Sequence, residues 1–230
     1  MHGRIAHNSD SGNGHRSRLR KRLFDGGAGA LLDHELVEYL LALAIPRRDT
    51  KTQAKELIAR FGGIGPLLAA SAETLRREGL SDTVIGALKI AEATALRLLE
   101  TRTEGAPILS SWDALGDYLH AAMAHSRTEQ VRVLFLNARN MLIANEAMWD
   151  GSVDEASVHV REIIARAIQL GATALIIVHN HPSGDPTPSS QDIRITRDLV
   201  EAARHMKIAV HDHVIVGAQG RTSLRALGLI

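Results

Sequence analysis

Residues 172–217 read ATALIIVHNHPSGDPTPSSQDIRITRDLVEAARHMKIAVHDHVIVG, and the changes of period inside them decide the fold class. ATALIIVH (172–179) is a short, nearly continuous apolar run, as expected of a buried strand. Pro182, Gly184, Pro186 and Pro188 then force the chain into a turning loop. QDIRITRDLVEAARHM (191–206) spaces its apolar residues as a helix does, and KIAVHDHVIVG (207–217) returns to strand. Working outward, HVREIIARAIQLG (159–171) reads as a helix, and QVRVLFLN (130–137) and MLIANEAMWDG (141–151) as two strands joined by a tight turn at Asn137–Asn140. SWDALGDYLHAAM (111–123) is helical. Strands and helices in alternation are the signature of an α/β layer fold.

The upstream half has a different character. RSRLRKRLFD (16–25), HELVEYLLALA (34–44) and TKTQAKELIARF (50–61) have helical periodicity, with Asp33 and Thr50 as expected N-caps and Pro46 as a stop signal. Short helices and a final long one, starting at Ser81 or Asp82, continue to Glu100. TRTEGAPILSS (101–111) breaks the pattern and is the expected linker. The organisation expected is a polar, mobile segment over 1–15, an all-α domain over 16–104 and an α/β domain over 105–230.

Composition narrows the function. With aromatics at 3%, base-stacking platforms for single-stranded nucleic acid are excluded. Cysteine is absent, which removes disulfide scaffolds, iron–sulfur clusters, thiolate zinc sites and cysteine nucleophiles, so any metal site must be built from His and carboxylates. The net charge is +1, with a small basic excess before residue 105 and a small acidic one after it, far from a dedicated DNA-binding footprint. The cluster Arg16, Arg18, Arg20, Lys21 and Arg22 reads as a solvated helix face, with phosphate contact as the alternative. No apolar run is long enough to span a bilayer and MHGRIAHNSDSGNGH lacks a signal-peptide core, so a cytoplasmic protein without membrane contact is expected.

The chemistry gathers around the loop. Side chains alternate along a strand, so His179 and His181 project from one face at its end, where α/β folds place their sites. The loop then delivers Asp192 into the first turn of the next helix. Two imidazoles and a carboxylate are the ligand set of many catalytic zinc sites, with a fourth position left for water. Each piece also has a structural reading: a strand-end His can simply be hydrogen-bonded, and Ser189-x-x-Asp192 is itself a capping box. Taken together in a Cys-free chain, the constellation favours a metal.

His179-x-His181, seven residues, Ser189, two residues and Asp192 resembles the JAMM (JAB1/MPN/Mov34 metalloenzyme) motif. VHNHPSGDPTPS (178–189) with DHVIVG (212–217) resembles the RadC family, and HRSRLRKRLFDGG, DHELVEYLLALAIPRRDTK and AKELIARFGG extend that likeness over nearly the whole chain. The resemblance implies an MPN-type mixed sheet flanked by helices, related to the cytidine-deaminase-like architecture, with zinc on His179, His181 and Asp192. It implies Ser189 as the hydroxyl that steadies an oxyanion. It also asks for a glutamate at the start of a core strand as general acid/base, a place that Glu129 in TEQVRVLFLN occupies. Read without the family, Glu129 is an exposed carboxylate paired with Arg127 or Arg132, and Glu146, Glu155 and Glu162 compete, the last suiting a helix's first turn. For the N-terminal half the likeness implies a helix-hairpin-helix-like module that can meet DNA backbone, with FGGIG (61–65) and REGLSD (77–82) as candidate turns. In the second turn Ser81 replaces a glycine and Glu78 would repel phosphate, so protein contact or packing is an equal expectation.

Other patterns are weaker. His211 and His213 form a second His-x-His pair, but no carboxylate-delivering loop follows, so structural roles are expected for them and for Asp212. His34-Glu35 fails the zincin pattern because position 38 is Glu, and a deaminase site fails for want of Cys. The activity expected is a zinc-dependent hydrolase, metallopeptidase or isopeptidase-like, on a peptide or protein substrate. The alternative is a DNA-repair-associated or protein-interaction module with a structural metal. A metal-dependent nuclease fits less well, since one three-ligand site lacks a two-metal clamp.

Overall fold

The apolar run at 174–180 becomes the middle of a five-stranded sheet in the computed structural model, which describes residues 11–46, 48–101, 107–108, 112–151 and 160–230. The strands are β1 (Glu129–Leu136), β2 (Leu142–Gly151), β3 (Ala174–Asn180), β4 (Ala209–Gly217) and β5 (Gly220–Ser223), in the order β2-β1-β3-β4-β5. β3 pairs antiparallel with β1 and parallel with β4, and the two outer pairings are antiparallel. Every residue of β3 is buried, which explains the missing polar alternation: both faces are covered. On one face Val133, Phe135 and Ile177 pack on α8 (Val160–Leu170) and α9 (Ser190–His205) through Ile163, Ala167 and Leu199. On the other, Leu134, Ile176 and Val216 meet α7 (Trp112–Met123) through Leu115 and Leu119. The result is a mixed sheet flanked by helices.

Two local features position the site. The parallel β3–α9–β4 crossover sets the start of α9 beside the C-terminal end of β3. In the β3–β4 pairing, Leu175 faces Val210 but Ile176 faces Asp212, so His211 is an extra residue. That irregularity puts His213 opposite Ile177, on the side covered by α9. The β1–β2 turn is built on Asn137, whose side-chain oxygen accepts from the N–H groups of Arg139 and Met141, with Asn140 at φ +58°.

Before α7 the described residues form α1 (Ser11–Gly26), a 3-10 turn (Ala28–Ala30), α2 (Asp33–Ala44), α3 (Lys51–Phe61), α4 (Ile64–Ala69), α5 (Ala72–Arg77) and α6 (Asp82–Thr101). α2 to α6 share a separate apolar core that includes Val37, Leu41, Leu57, Leu67, Leu75 and Leu88. The chain divides into two compact units, Met1–Thr94 and Ala95–Ile230, so the division falls within α6. The expected linker lies mostly outside the described residues.

Several helix starts differ from the local reading. α1 begins at Ser11, inside the segment read as mobile, because His15 Nε2 reaches a carboxylate oxygen of buried Glu38 at 2.9 Å and Arg16 donates to the carbonyls of Ile45 and Arg48. These long-range contacts outweigh the poor helix propensity of Ser-Gly-Asn-Gly. Asp33 is the first residue of α2 rather than its cap; the Leu32 N–H donates to Glu35 at 3.0 Å. Thr50 precedes α3, yet its hydroxyl donates to the Glu38 carbonyl at 2.9 Å instead of capping. In the REGLSD turn, Glu78 pairs with Arg60 and Asp82 with Arg76. Among the described residues no helix is long and apolar enough to cross a membrane.

Candidate metal centre

His179 is the penultimate residue of β3, and the His181 N–H donates to the Val216 carbonyl at 2.9 Å, which carries the ladder past the strand end. The alternation therefore persists and both imidazoles stay on one face. The loop then folds back. Gly184 at φ +84° donates its N–H to the His181 carbonyl at 2.9 Å and accepts from the Gln219 N–H at 3.0 Å. A Cβ at Gly217 would lie 2.3 Å from the Gly184 carbonyl oxygen, so only glycine at the end of β4 lets the loop lie there. The loop ends at Ser189, the N-cap of α9. Its hydroxyl accepts from the Asp192 N–H at 3.1 Å, and its own N–H and hydroxyl donate to Asp192 Oδ2 at 2.7 and 2.6 Å. The capping box and the ligand reading of Asp192 are thus compatible: the cap aims the carboxylate.

The three side chains meet. His179 Nε2 and His181 Nε2 are 2.9 Å apart, and Asp192 offers Oδ1 at 3.4 Å from the first and Oδ2 at 3.5 Å from the second. Ligand atoms on a tetrahedral zinc, with bonds of ~2.0–2.1 Å, stand roughly 3.3 Å from one another, so the spacing suits such an ion. Proton placement agrees. His181 Nδ1–H donates to the Asp185 carbonyl at 2.8 Å, which leaves a lone pair on its Nε2. His179 Nδ1 lies 2.7 Å from His213 Nε2, and the other nitrogen of His213 meets Thr196 Oγ1. Two lone pairs and a carboxylate turned on each other repel unless a positive charge sits among them, and the donor set fits a divalent ion.

The electrostatics have the same cause. Burial pushes the His179 pKa down to about 4, against the pull of Asp192, so its imidazole is neutral and able to ligate at neutral pH. Burial also drives His213 well below the ordinary range. Asp192, which accepts from the protonated ring of His181, raises the His181 pKa. Burial opposes ionisation of Asp192, but its neighbours His181 and His179 and the Ser189 donors outweigh it and hold the carboxylate well below its usual value. Glu129 is raised, chiefly by burial, with Asp192 adding to the effect and His181 opposing it.

Glu129 opens β1 two residues before Val131, which stands opposite His179. With His179, His181, Ser189 and Asp192 it lines a cavity of about 270 Å³, whose apolar wall includes Val131, Pro182 and Ile195. The structure thus brings all five sequence-derived candidates to one place. Arg132 donates to Asn145 at 3.0 Å rather than pairing with Glu129. Of the competing carboxylates, Glu146 is held by Arg166, Glu162 is exposed in the first turn of α8, and Glu155 lies outside the described residues. His211 bonds Asn140 at 2.7 Å, and buried Asp212 accepts from the Arg225 N–H and the Ser223 hydroxyl. Sequence reasoning gave His213 a structural role and did not single out Thr196; the structure sets both behind His179. The one local signal was that Thr196 follows Asp192 by one helical turn.

Residues 109–229 match the family described as the RadC-like JAB domain. The chain is 48% identical over 213 residues to a UPF0758 protein of Rhodobacter capsulatus, covering 92% of this chain and 100% of that relative. It is 46% identical over 217 residues to a UPF0758 protein of Ruegeria pomeroyi, covering 94% of this chain and 97% of the relative. Likeness at that level along almost the full length, with the JAB match spanning the sheet and its His-His-Asp corner, means that this chain belongs to the RadC family.

Proposed function

We propose that the protein is a zinc-dependent hydrolase of the JAMM type that cleaves an amide-like bond, in a peptide or isopeptide. The observation that carries this reading is the convergence of two imidazole Nε2 atoms and one carboxylate beside half-buried Glu129 in a single cavity. His179, His181 and Asp192 would hold the ion. Bound there, zinc supplies a more acidic water and polarisation of a substrate carbonyl. Glu129, with its pKa raised by burial, is suited to take a proton from the attacking water and to return it to the leaving amine. Ser189 shares its hydroxyl proton with Asp192; if that hydroxyl turns to a developing oxyanion, Asp192 still keeps the Ser189 N–H at 2.7 Å. A cavity of about 270 Å³ takes the atoms around a scissile bond and little more, which favours an extended or terminal segment of the substrate. The separate core of the N-terminal helices supports a distinct helical module, for which the family resemblance implies a helix-hairpin-helix-like form over 16–104, ahead of the metalloprotein domain over 105–230.

Metal analysis of the purified chain, combined with a peptide-library cleavage screen, tests the reading. The wild type is expected to hold one zinc, and His179→Ala and Asp192→Ala to take up none. Glu129→Gln is expected to keep the metal and lose about 10²–10⁴-fold in turnover. Retention of a full zinc equivalent by both ligand variants would remove the assignment.

A further inference from the structure

A chain of buried polar contacts runs from Asp192 back to the site by a route that the mechanism above does not use. On α9 the Thr196 hydroxyl bonds the Asp192 carbonyl one turn earlier, which assigns the hydroxyl proton. The Thr196 oxygen is then left as an acceptor for His213 Nδ1–H. With that proton on Nδ1, the neutral His213 ring has a lone pair on Nε2, and His179 Nδ1–H is the donor that meets it at 2.7 Å. The lone pair of His179 is consequently on Nε2, the atom that faces His181 Nε2 and Asp192. The four groups form a closed circuit that leaves Asp192 by its carbonyl and returns to it at its carboxylate. Each of the three hydrogen bonds, Thr196 to the Asp192 carbonyl, His213 to Thr196 and His179 to His213, has one donor and one acceptor, and reversing any one of them leaves a buried N–H or lone pair facing its like. The return from His179 Nε2 to the carboxylate is no hydrogen bond but the pair of acceptors offered to a metal.

His179, Thr196 and His213 are at most 3% exposed, so water does not compete for these bonds. Neither Thr196 nor His213 belongs to the His-His-Asp group itself.

We propose that His213 and Thr196 are positioning residues whose ordered hydrogen bonds lock His179 in the Nδ1–H tautomer, presenting Nε2 to the metal and tying its ring to the backbone of the third ligand. This rests on the metal reading above and deepens it. A partner that holds the far nitrogen of a ligating imidazole is typically worth ~10–100-fold in metal affinity.

The test compares the full-length wild type with His213→Leu, His213→Gln, Thr196→Val and Thr196→Ser. Zinc affinity is measured by competition with a chromophoric chelator, and the His179 tautomer is read from ring 15N shifts of the metal-free protein. Gln places an acceptor oxygen near the position of Nε2, whereas Leu places none. Zinc affinity is expected to fall ~10–100-fold in His213→Leu and in nearly isosteric Thr196→Val, and to stay within ~3-fold of wild type in His213→Gln and Thr196→Ser. The 15N spectra should show His179 losing its single tautomer only in the first pair. If His213→Leu and Thr196→Val bind zinc as tightly as wild type with the tautomer unchanged, the positioning role is overturned while the metal site stands. If the wild type itself binds no zinc in the competition, the metal reading falls and this inference with it.

Discussion

His179 is 2% exposed at the end of β3, and that burial governs its behaviour in acid. Its pKa is about 4 in the folded chain against an ordinary value of 6.5, so between those limits the unfolded chain binds the proton and the folded one resists it. The contribution of this group to folding stability is therefore complete above pH 6.5 and is lost as the pH falls towards 4. From this one side chain the loss is about 3 kcal/mol. His213 acts in the same direction. His181 acts in the other: its raised pKa gives stability that is present below the ordinary value and lost as the pH rises through the folded one. Asp192, held low, adds a further loss below the usual carboxylate range. Urea unfolding of the metal-free chain across pH 4–7 should show this decline, and His179→Asn should flatten it. A decline of equal steepness in that variant would assign the acid sensitivity elsewhere.

At the scale of elements, the site depends on how the 181–189 loop is pinned between β4 and α9. At Gly217 an added methyl would sit 2.3 Å from the Gly184 carbonyl oxygen and 2.7 Å from its carbon, both backbone atoms that cannot swing aside. Gly217→Ala should therefore push the loop away, loosen the Asp185 carbonyl that orients His181, and weaken zinc binding by about 10-fold or more. Ser189→Ala should act from the other end of the loop. Losing the cap costs about 1 kcal/mol, seen as a lower melting temperature even without zinc. Measuring zinc affinity and metal-free melting on both variants separates loop placement from helix capping. The reason the loop could be read so fully in the sequence is that its logic is local. Alternation by two puts His179 and His181 together, and a three-residue spacing builds the Ser189–Asp192 box. What could not be read depends on distant partners. Glu129 is legible only through the family resemblance, because it reaches the cavity through a strand pairing some 50 residues away in sequence. His213 faces His179 only because the extra residue at His211 resets the register of β4. The start of α1 at Ser11 depends on contacts of His15 and Arg16 with residues far along the chain, and the Thr50 hydroxyl went to a buried carbonyl that no local pattern reveals.

At the scale of the whole molecule, the two compact units have separate cores, and all three expected ligands belong to the second. A ligand stabilises what must unfold to release it, by RT ln(1 + [L]/Kd), which is about 2.7 kcal/mol when zinc is at a hundred times its dissociation constant. That increment is available only to segments whose opening destroys the site. β3, the loop after it and the first turn of α9 hold the ligands, β4 pairs with β3 beside them, and all four should gain the full protection. Val37, Leu41, Leu57 and Leu88 belong to the core of the N-terminal helices, which contains no ligand. Amide hydrogen exchange followed with and without zinc should then show slowing of up to about 100-fold in the sheet and α9. Exchange in α2, α3 and the first turns of α6 should be unchanged. If the N-terminal core slowed by the same factor, the two units would be opening as one cooperative body, and α6, which spans the division at Thr94, would be the element to break with a glycine substitution.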